Sequence, residues 1–562
     1  MALAVGLAAA LGGIGGCRSE GGAGSGKGAD STRTALACDC GTVVVAAIGE
    51  PATILPPLVR ETVGRDIGDL VWERLADLKP GGVPIDTTAY EPRLAARWER
   101  VDPLTLRFHL RPGARWHDGR PVTADDVVFS FDVFSDSTLD APGRMYLGGR
   151  VHAEAEDSAT VRVRFTESHP EQLYDATYHV RVLPRHVWDS LPRGAWERDT
   201  ALAHLVGSGP YRVREWRRGQ FLALERAPGT LFPHASRRVV WRFTDDADAQ
   251  LNLLLSHEAD LVETVGAPDR VGRVERDGTF RTIRYPSAVY GFLAFRLADA
   301  GGAPHPVLGE RDARRGLAMA VDRSTLAQAI FGAGTLAPPG PMSRLLWIWN
   351  DSIRTLPFDT AAAAVALDSA GWRRAGPDAV RARAGRPFRF DILIPSTSTP
   401  RRQLAVALQE AWRRMGAEVT VTAVDFPVFQ QRLAQGRFDA YIGSYLDEPT
   451  PRGLADQWTR AGWGALNYGR YASPAFDTLL ARAAREPKPD VARYLYREAM
   501  DTLNADAPAI FLFTPTNVAA AQQRLQNVVI DPYAWLSTLP SWTIDPGRVV
   551  ARDSLQGLGA RD

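Results

Sequence analysis

Residues 401–447 read RRQLAVALQEAWRRMGAEVTVTAVDFPVFQQRLAQGRFDAYIGSYLD. Leu404, Leu408, Ala411, Trp412 and Met415 fall on one stripe of a 3.6-residue period, so Arg401–Met415 is expected to be helical, with Gly416 as its stop. Glu418–Val424 alternates β-branched residues and reads as a strand. Gln430–Gln435 is again helical and stops at Gly436, and Phe438–Tyr445 is the next strand. Helices alternating with strands predict parallel pairing and an α/β fold. Far upstream, Gly41–Ile48 (GTVVVAAI) is a continuous apolar run, as expected of a strand buried on both faces. It ends in the turn Gly49-Glu50-Pro51. Open α/β sheets bind ligands at such strand-to-loop junctions, which makes Glu50 a candidate ligand residue. Thr123 followed by Asp126 predicts a capping-box start for a helix carrying Val127, Val128 and Phe131.

The whole chain has 562 residues, 45% hydrophobic and 23% charged. Those fractions are globular, and the length corresponds to roughly two to four domains. Lys+Arg is 66 and Asp+Glu 65, a net charge of +1, so there is no broad footprint for a nucleic-acid backbone. The only cysteines are Cys17, Cys38 and Cys40, leaving the body without a disulfide framework or thiolate zinc site. Cys38-Asp39-Cys40 reads as an inert pair in the lead-in, with a strained local bridge or a soft-metal site as the alternatives.

Catalytic motifs fail one by one. His257-Glu258 is followed by Leu261 where a zincin needs His, and Gly207-Ser208-Gly209 lacks the G-x-S-x-G spacing. The histidines are scattered singly, and His117, in a Trp-His-Asp-Gly turn, is expected to be structural. No metal, cofactor or enzymatic activity is expected.

Leu3–Leu11 is too short an apolar run to span a membrane, which takes ~20 residues, but suits a signal-peptide core. The small residues before Cys17 resemble a bacterial lipobox. Residues 1–17 are therefore expected to be a lipoprotein signal peptide with Cys17 lipidated, and 18–40 a flexible Gly/Ser-rich tether. Gly21–Lys27 satisfies G-x-x-x-x-G-K without the strand and helix a phosphate loop requires.

An ordered series of motifs runs along the body: YEPRLAARW at 90–98, LTLRFHLRPG at 104–113, RWHDGRPVTADDVVFSF at 115–131, VGSGPYR at 206–212, Glu215-Trp216, RRGLAMAVDR at 314–323, AGW at 370–372 and GRFD at 436–439. In this order they resemble the oligopeptide/dipeptide/nickel-type solute-binding proteins of ABC importers, bacterial family 5. The resemblance implies a type II periplasmic-binding-protein fold, α/β, with two lobes and an extra subdomain in the first. The expected division is lobe I at 41–70, 206–288 and 510–562, the subdomain at 71–205, and lobe II at 289–509. It further implies an extracytoplasmic, lipid-anchored monomer that takes a peptide into the inter-lobe cleft and delivers it to the permease subunits. A non-peptide solute (oligosaccharide or nickel complex) or a sensory role stays open.

The resemblance also nominates site residues. A ligand ammonium needs a fixed carboxylate. Gly443-Ser444-Tyr445-Leu446-Asp447 keeps the relatives' spacing, so Asp447 is the candidate, with Glu448 the alternative if the alignment shifts. Without ligand, the open cleft is expected to leave Asp447 hydrated. Ser444, Tyr445, Phe426, Tyr285, Tyr290, Trp347 and Trp349 are the other candidate lining residues. Arg401 and Arg402 are expected at a solvated helix start, and the hinges near Tyr290–Phe295 and Ala509–Thr514.

Overall fold

The apolar run after Gly41 forms the strand Thr42–Ile48, buried from Thr42 through Ala47. It pairs in parallel with Arg238–Thr244 on one side and Leu261–Val262 on the other. These are the centre of a seven-stranded sheet ordered Phe280–Pro286, Thr516–Gln522, Leu261–Val262, Thr42–Ile48, Arg238–Thr244, Phe221–Arg226 and Tyr211–Arg217. Val43 and Val45 point into a core shared with the following 160 or so residues, whereas Val44 and Ala46 pack under the helices Ala247–Leu255 and Pro268–Asp277. This computed structural model describes residues 41–139, 141–199, 201–229 and 236–553. The expected signal peptide, tether and lipidation site at Cys17 lie outside the described residues.

A four-stranded antiparallel sheet is inserted after the first strand, ordered Ala95–Asp102, Thr105–Leu110, Thr160–Phe165 and Val151–Asp157. The helix Ala124–Ser135 packs on it. Its capping box is formed as the sequence predicts, by Thr123 and Asp126. Gly207 shows why the GSGP segment has no side chain there: a Cβ would lie 1.9 Å from the carbonyl oxygen of Val71. His117 ties that segment down, its Nδ1 accepting from the Gly207 N–H and its Nε2 lying 3.0 Å from the Gly209 carbonyl. Burial pulls the imidazole down to about 4, so it is neutral and structural.

The second sheet has five strands, ordered Glu418–Val424, Arg389–Pro395, Ala440–Leu446, Val289–Phe295 and Ala509–Phe513. The first three pair in parallel, as the alternating pattern predicts. Val289–Phe295 runs antiparallel to both its neighbours, so the sheet is mixed rather than wholly parallel. Thr399–Arg414 and Phe426–Ala434 are the flanking helices. The latter begins four residues before the expected Gln430, with Pro427 in its first turn, where a missing N–H costs nothing. The GRFD motif has a plain structural job. Asp439 accepts the Asp391 N–H at 3.0 Å, lies 3.0 Å from His305 Nε2, and so anchors the strand ends together.

The chain passes between the two sheets at Pro286–Val289 and again at Phe513–Thr516. This corrects one expectation. Residues 510–513 belong to the second lobe's sheet, not the first. The segments Tyr290–Phe295 and Ala509–Phe513, near which the hinges are expected, are hydrogen-bonded inside that sheet. The short crossings beside them are joined by Ser287 N–H donating to the Pro515 carbonyl at 3.0 Å.

Candidate functional site

The strand Ala440–Leu446 delivers Asp447 to the junction of the lobes. Oδ2 of Asp447 accepts the Ser343 N–H at 2.6 Å, and its own N–H donates to the Ala288 carbonyl at 2.8 Å, at a crossing. No cation pairs with it among the described residues. Burial pushes the carboxyl up to about 7. Asp447 is part-buried here, with Ser343 and the first-lobe Tyr533 beside it. The negative charge of Asp447 adds to burial in raising the Tyr533 hydroxyl.

Glu448 faces the other way, toward the inserted subdomain. Burial raises its carboxyl, Arg452 opposes this, and Asp175 adds to it. One of its oxygens is buried without a hydrogen-bond partner. Around Arg452 the lobes touch through charge. Its Nη1 donates to Asp175 at 2.9 Å, its Nε lies 2.5 Å from Glu171, and its guanidinium sits 4.2 Å above the Tyr146 ring. Thr450 donates to Glu171 at 2.6 Å. Glu171 is nonetheless pushed up to about 7 by burial.

The first lobe contributes Arg65 in the helix Thr62–Val71, together with Glu263 and Tyr285. Tyr285 is buried and donates to the Glu263 carbonyl at 3.2 Å. Burial raises Glu263, and the positive charge of Arg65 opposes that rise.

Other candidates are committed elsewhere. Tyr290 is 0% exposed, donates to Gln457 and accepts from Trp458 Nε1 at 3.1 Å; it is a core residue and has no face for a ligand. Tyr445 donates to the Leu466 carbonyl at 2.8 Å and packs on Phe292. Ser444 accepts from Arg401 Nη2 at 2.8 Å. Arg401 is consequently not at a solvated helix start: burial lowers its pKa, while Arg402 is exposed. Phe426 is half exposed and stacks on Phe429. Trp347 packs edge-on against Tyr496, and Trp349 donates to Asp351 at 2.9 Å. Glu50 is a turn-holder, accepting from Trp216 Nε1 and the Gly219 N–H, each at 2.7 Å.

Sequence reasoning missed Arg65, Glu263, Ser343, Tyr533 and Arg452. They come from five separate stretches and carry no shared spacing. Only the approach of the lobes joins them.

Two lobes joined by paired crossings, with the unpaired carboxyl of Asp447 at their junction, have the arrangement of a two-lobed binding protein. The chain matches "Bacterial extracellular solute-binding proteins, family 5 Middle" over residues 89–464. Protein XP55 of Streptomyces lividans is 31% identical over 500 residues, 87% of each chain. The dipeptide-binding protein of Escherichia coli (strain K12) is 21% identical over 526 residues, 87% of this chain and 92% of that one. The structure of the oligopeptide-binding protein AppA from Bacillus subtilis, solved with a nonapeptide, superposes with a TM-score of 0.70 at 21% identity, covering 90% of this chain and 99% of AppA. This chain belongs to family 5 of the bacterial extracellular solute-binding proteins, with their two-lobed type II fold. It is an extracytoplasmic substrate-binding protein of the ABC-importer class, not an enzyme. No helix among the described residues is long and apolar enough to cross a membrane.

Proposed function

We propose that the protein binds a peptide between its lobes, with the peptide ammonium on Asp447, and delivers it to the transmembrane subunits of an ABC permease while lipidated Cys17 holds it at the membrane. One observation carries the peptide reading. Asp447 is a part-buried carboxyl whose partner is a backbone N–H and not a cation, and a desolvated carboxylate is stabilised by a cation that pairs with it. The ligand supplies that cation. The dipeptide- and oligopeptide-binding relatives support the same reading.

The test is mass spectrometry of the solute that co-purifies with the protein, followed by calorimetric titration of that solute into wild type, Asp447→Asn and Glu448→Gln. A peptide that binds wild type and fails to bind Asp447→Asn sustains the reading. Loss in Glu448→Gln alone moves the ammonium to Glu448. An uncharged solute that binds all three equally overturns it.

A further inference from the structure

One exposed face of the second lobe carries cations without acid partners. Residues 459–489 hold five, Arg460, Arg470, Arg482, Arg485 and Lys488, against two acids, Asp477 and Glu486, in a chain of net charge +1. None of the five makes an ion pair among the described residues. The two acids are turned to the backbone: Asp477 accepts the Arg460 N–H at 3.3 Å and Glu486 the Lys488 N–H at 3.0 Å.

Aromatic rings stand among these cations. Arg460 and Arg470 lie over the ring of Trp463, at 4.8 and 5.7 Å from its centre. The ring is fixed, because its Nε1 donates to the Tyr471 carbonyl at 2.8 Å. The Asp477 contact joins this loop to the helix Pro474–Arg485, which packs against Pro489–Asp506. Between the two helices runs an open groove of about 780 Å³, lined by Thr478, Arg482 and Arg485 on one side and Val491, Tyr494 and Leu495 on the other. Tyr494 is 54% exposed, and Val491 and Leu466 are exposed as well.

An exposed apolar patch rimmed by polar groups marks an interaction surface. The layout of the charges selects the partner. They are spread over a loop and two helices instead of converging on one point, so no single small anion satisfies them. An acidic protein segment would need carboxylates at matching positions. A bilayer does not, since its mobile anionic headgroups meet cations at any spacing. Trp and Tyr, apolar bodies with one polar tip, are the residues that settle at headgroup depth.

We propose that this face docks on an anionic phospholipid surface, with Trp463 and Tyr494 at headgroup depth and the arginines on phosphate. The inference is independent of the solute taken by the cleft and of acylation at Cys17. Each cation near such a surface is worth about fivefold in affinity.

The test uses residues 18–562, which keep every described residue and omit Cys17 and the apolar run before it. Co-sedimentation is measured with phosphatidylcholine vesicles, alone or containing one-third phosphatidylglycerol. Wild type should bind the anionic vesicles at least ~10-fold more tightly than the neutral ones. The difference should vanish at ~1 M salt, where the screening length is ~3 Å. Arg482→Gln/Arg485→Gln should lose ~10- to 30-fold on anionic vesicles, and Tyr494→Ala should bind them more weakly than wild type. Arg413→Gln/Arg414→Gln removes the same charge from an exposed pair whose helix packs on the opposite side of the five-stranded sheet. It should stay within about twofold of wild type, since charge away from the docked face is screened within ~10 Å. Equal binding to both vesicles, binding to neither, or an equal loss in both double variants overturns the inference. Capture of polyglutamate by wild type and not by Arg482→Gln/Arg485→Gln, with no vesicle binding, also overturns it and makes the partner an acidic protein segment.

Discussion

Arg452 of the second lobe donates to Asp175 of the first at 2.9 Å, joining residues 277 positions apart across the cleft. The contact is the centre of a latch, since Glu171, Thr450 and Tyr146 are gathered on the same guanidinium or on its partner acids. Asp175 is almost wholly buried, with 1% of its side chain exposed. The latch therefore works only when the lobes are together. A hinge-bending receptor needs such differential contacts, because only interactions unequal in the two states can shift the population between them.

Arg452→Met should open the protein. Removing one partner of a buried pair typically costs ~3–5 kcal/mol. Here the cost falls on the closed arrangement, because separation of the lobes rehydrates Glu171 and Asp175. Small-angle scattering of the ligand-free variant should show a larger radius of gyration than wild type. An unchanged radius would mean that the latch does not hold the lobes.

Asp447 and Glu171 give the closed protein a pH dependence. Both carboxyls have pKa values raised to about 7 by burial. A raised acid stabilises the closed form fully below its ordinary pKa and loses that contribution as pH rises through the shifted one. Ligand-free stability should fall between about pH 4 and pH 8, by up to ~4 kcal/mol for Asp447 at ~1.4 kcal/mol per unit. Asp447→Asn should flatten this part of the slope in thermal melts.

Affinity for an amine ligand should run the opposite way. The ammonium binds ionised Asp447, so affinity should rise about tenfold per pH unit below ~7 and level off above it. Asp447→Asn should weaken binding by ~2–5 kcal/mol and remove the pH dependence. Titrations at pH 5, 6, 7 and 8 check both.

Tyr290→Phe separates core from ligand site. The hydroxyl bonds Gln457 and Trp458 inside the second lobe, so its loss should cost ~1–3 kcal/mol of stability by leaving buried partners unmet. Ligand affinity should stay within about twofold of wild type. A tenfold loss of affinity with unchanged melting would restore Tyr290 to the site.

Arg524 holds the first strand of the first lobe. Its guanidinium donates to Asp260 at 2.8 Å, to Asp553 at 2.8 Å and to the Thr42 carbonyl at 2.6 Å, with 3% of the side chain exposed. Asp260 in turn accepts the Val44 N–H at 2.8 Å. Arg524→Met should destabilise the protein by ~3–5 kcal/mol in denaturant melts, because buried Asp553 loses its cation and buried Asp260 keeps only Arg552.

Much of the architecture is legible in local sequence. Glu418–Val424 is a strand, Thr399–Arg414 a helix and Thr123–Asp126 a capping box because period, β-branching and cap chemistry are properties of neighbouring residues. The ordered motifs lead further, to the family and its two lobes. Which residues face the cleft is a different matter. Tyr290, Tyr445 and Trp347 carry ligand-like side chains and are spent on packing. Arg65 lies in an ordinary amphipathic helix, and only the tertiary structure shows that Asp69 is already taken by two other arginines. Asp447 could be nominated from spacing, but its burial depends on Ser343 and Tyr533, more than eighty residues away on either side. Desolvation and charge pairing are sums over everything near a group in space. Elements follow from the chain's local chemistry, and a site made where two lobes meet follows from their packing.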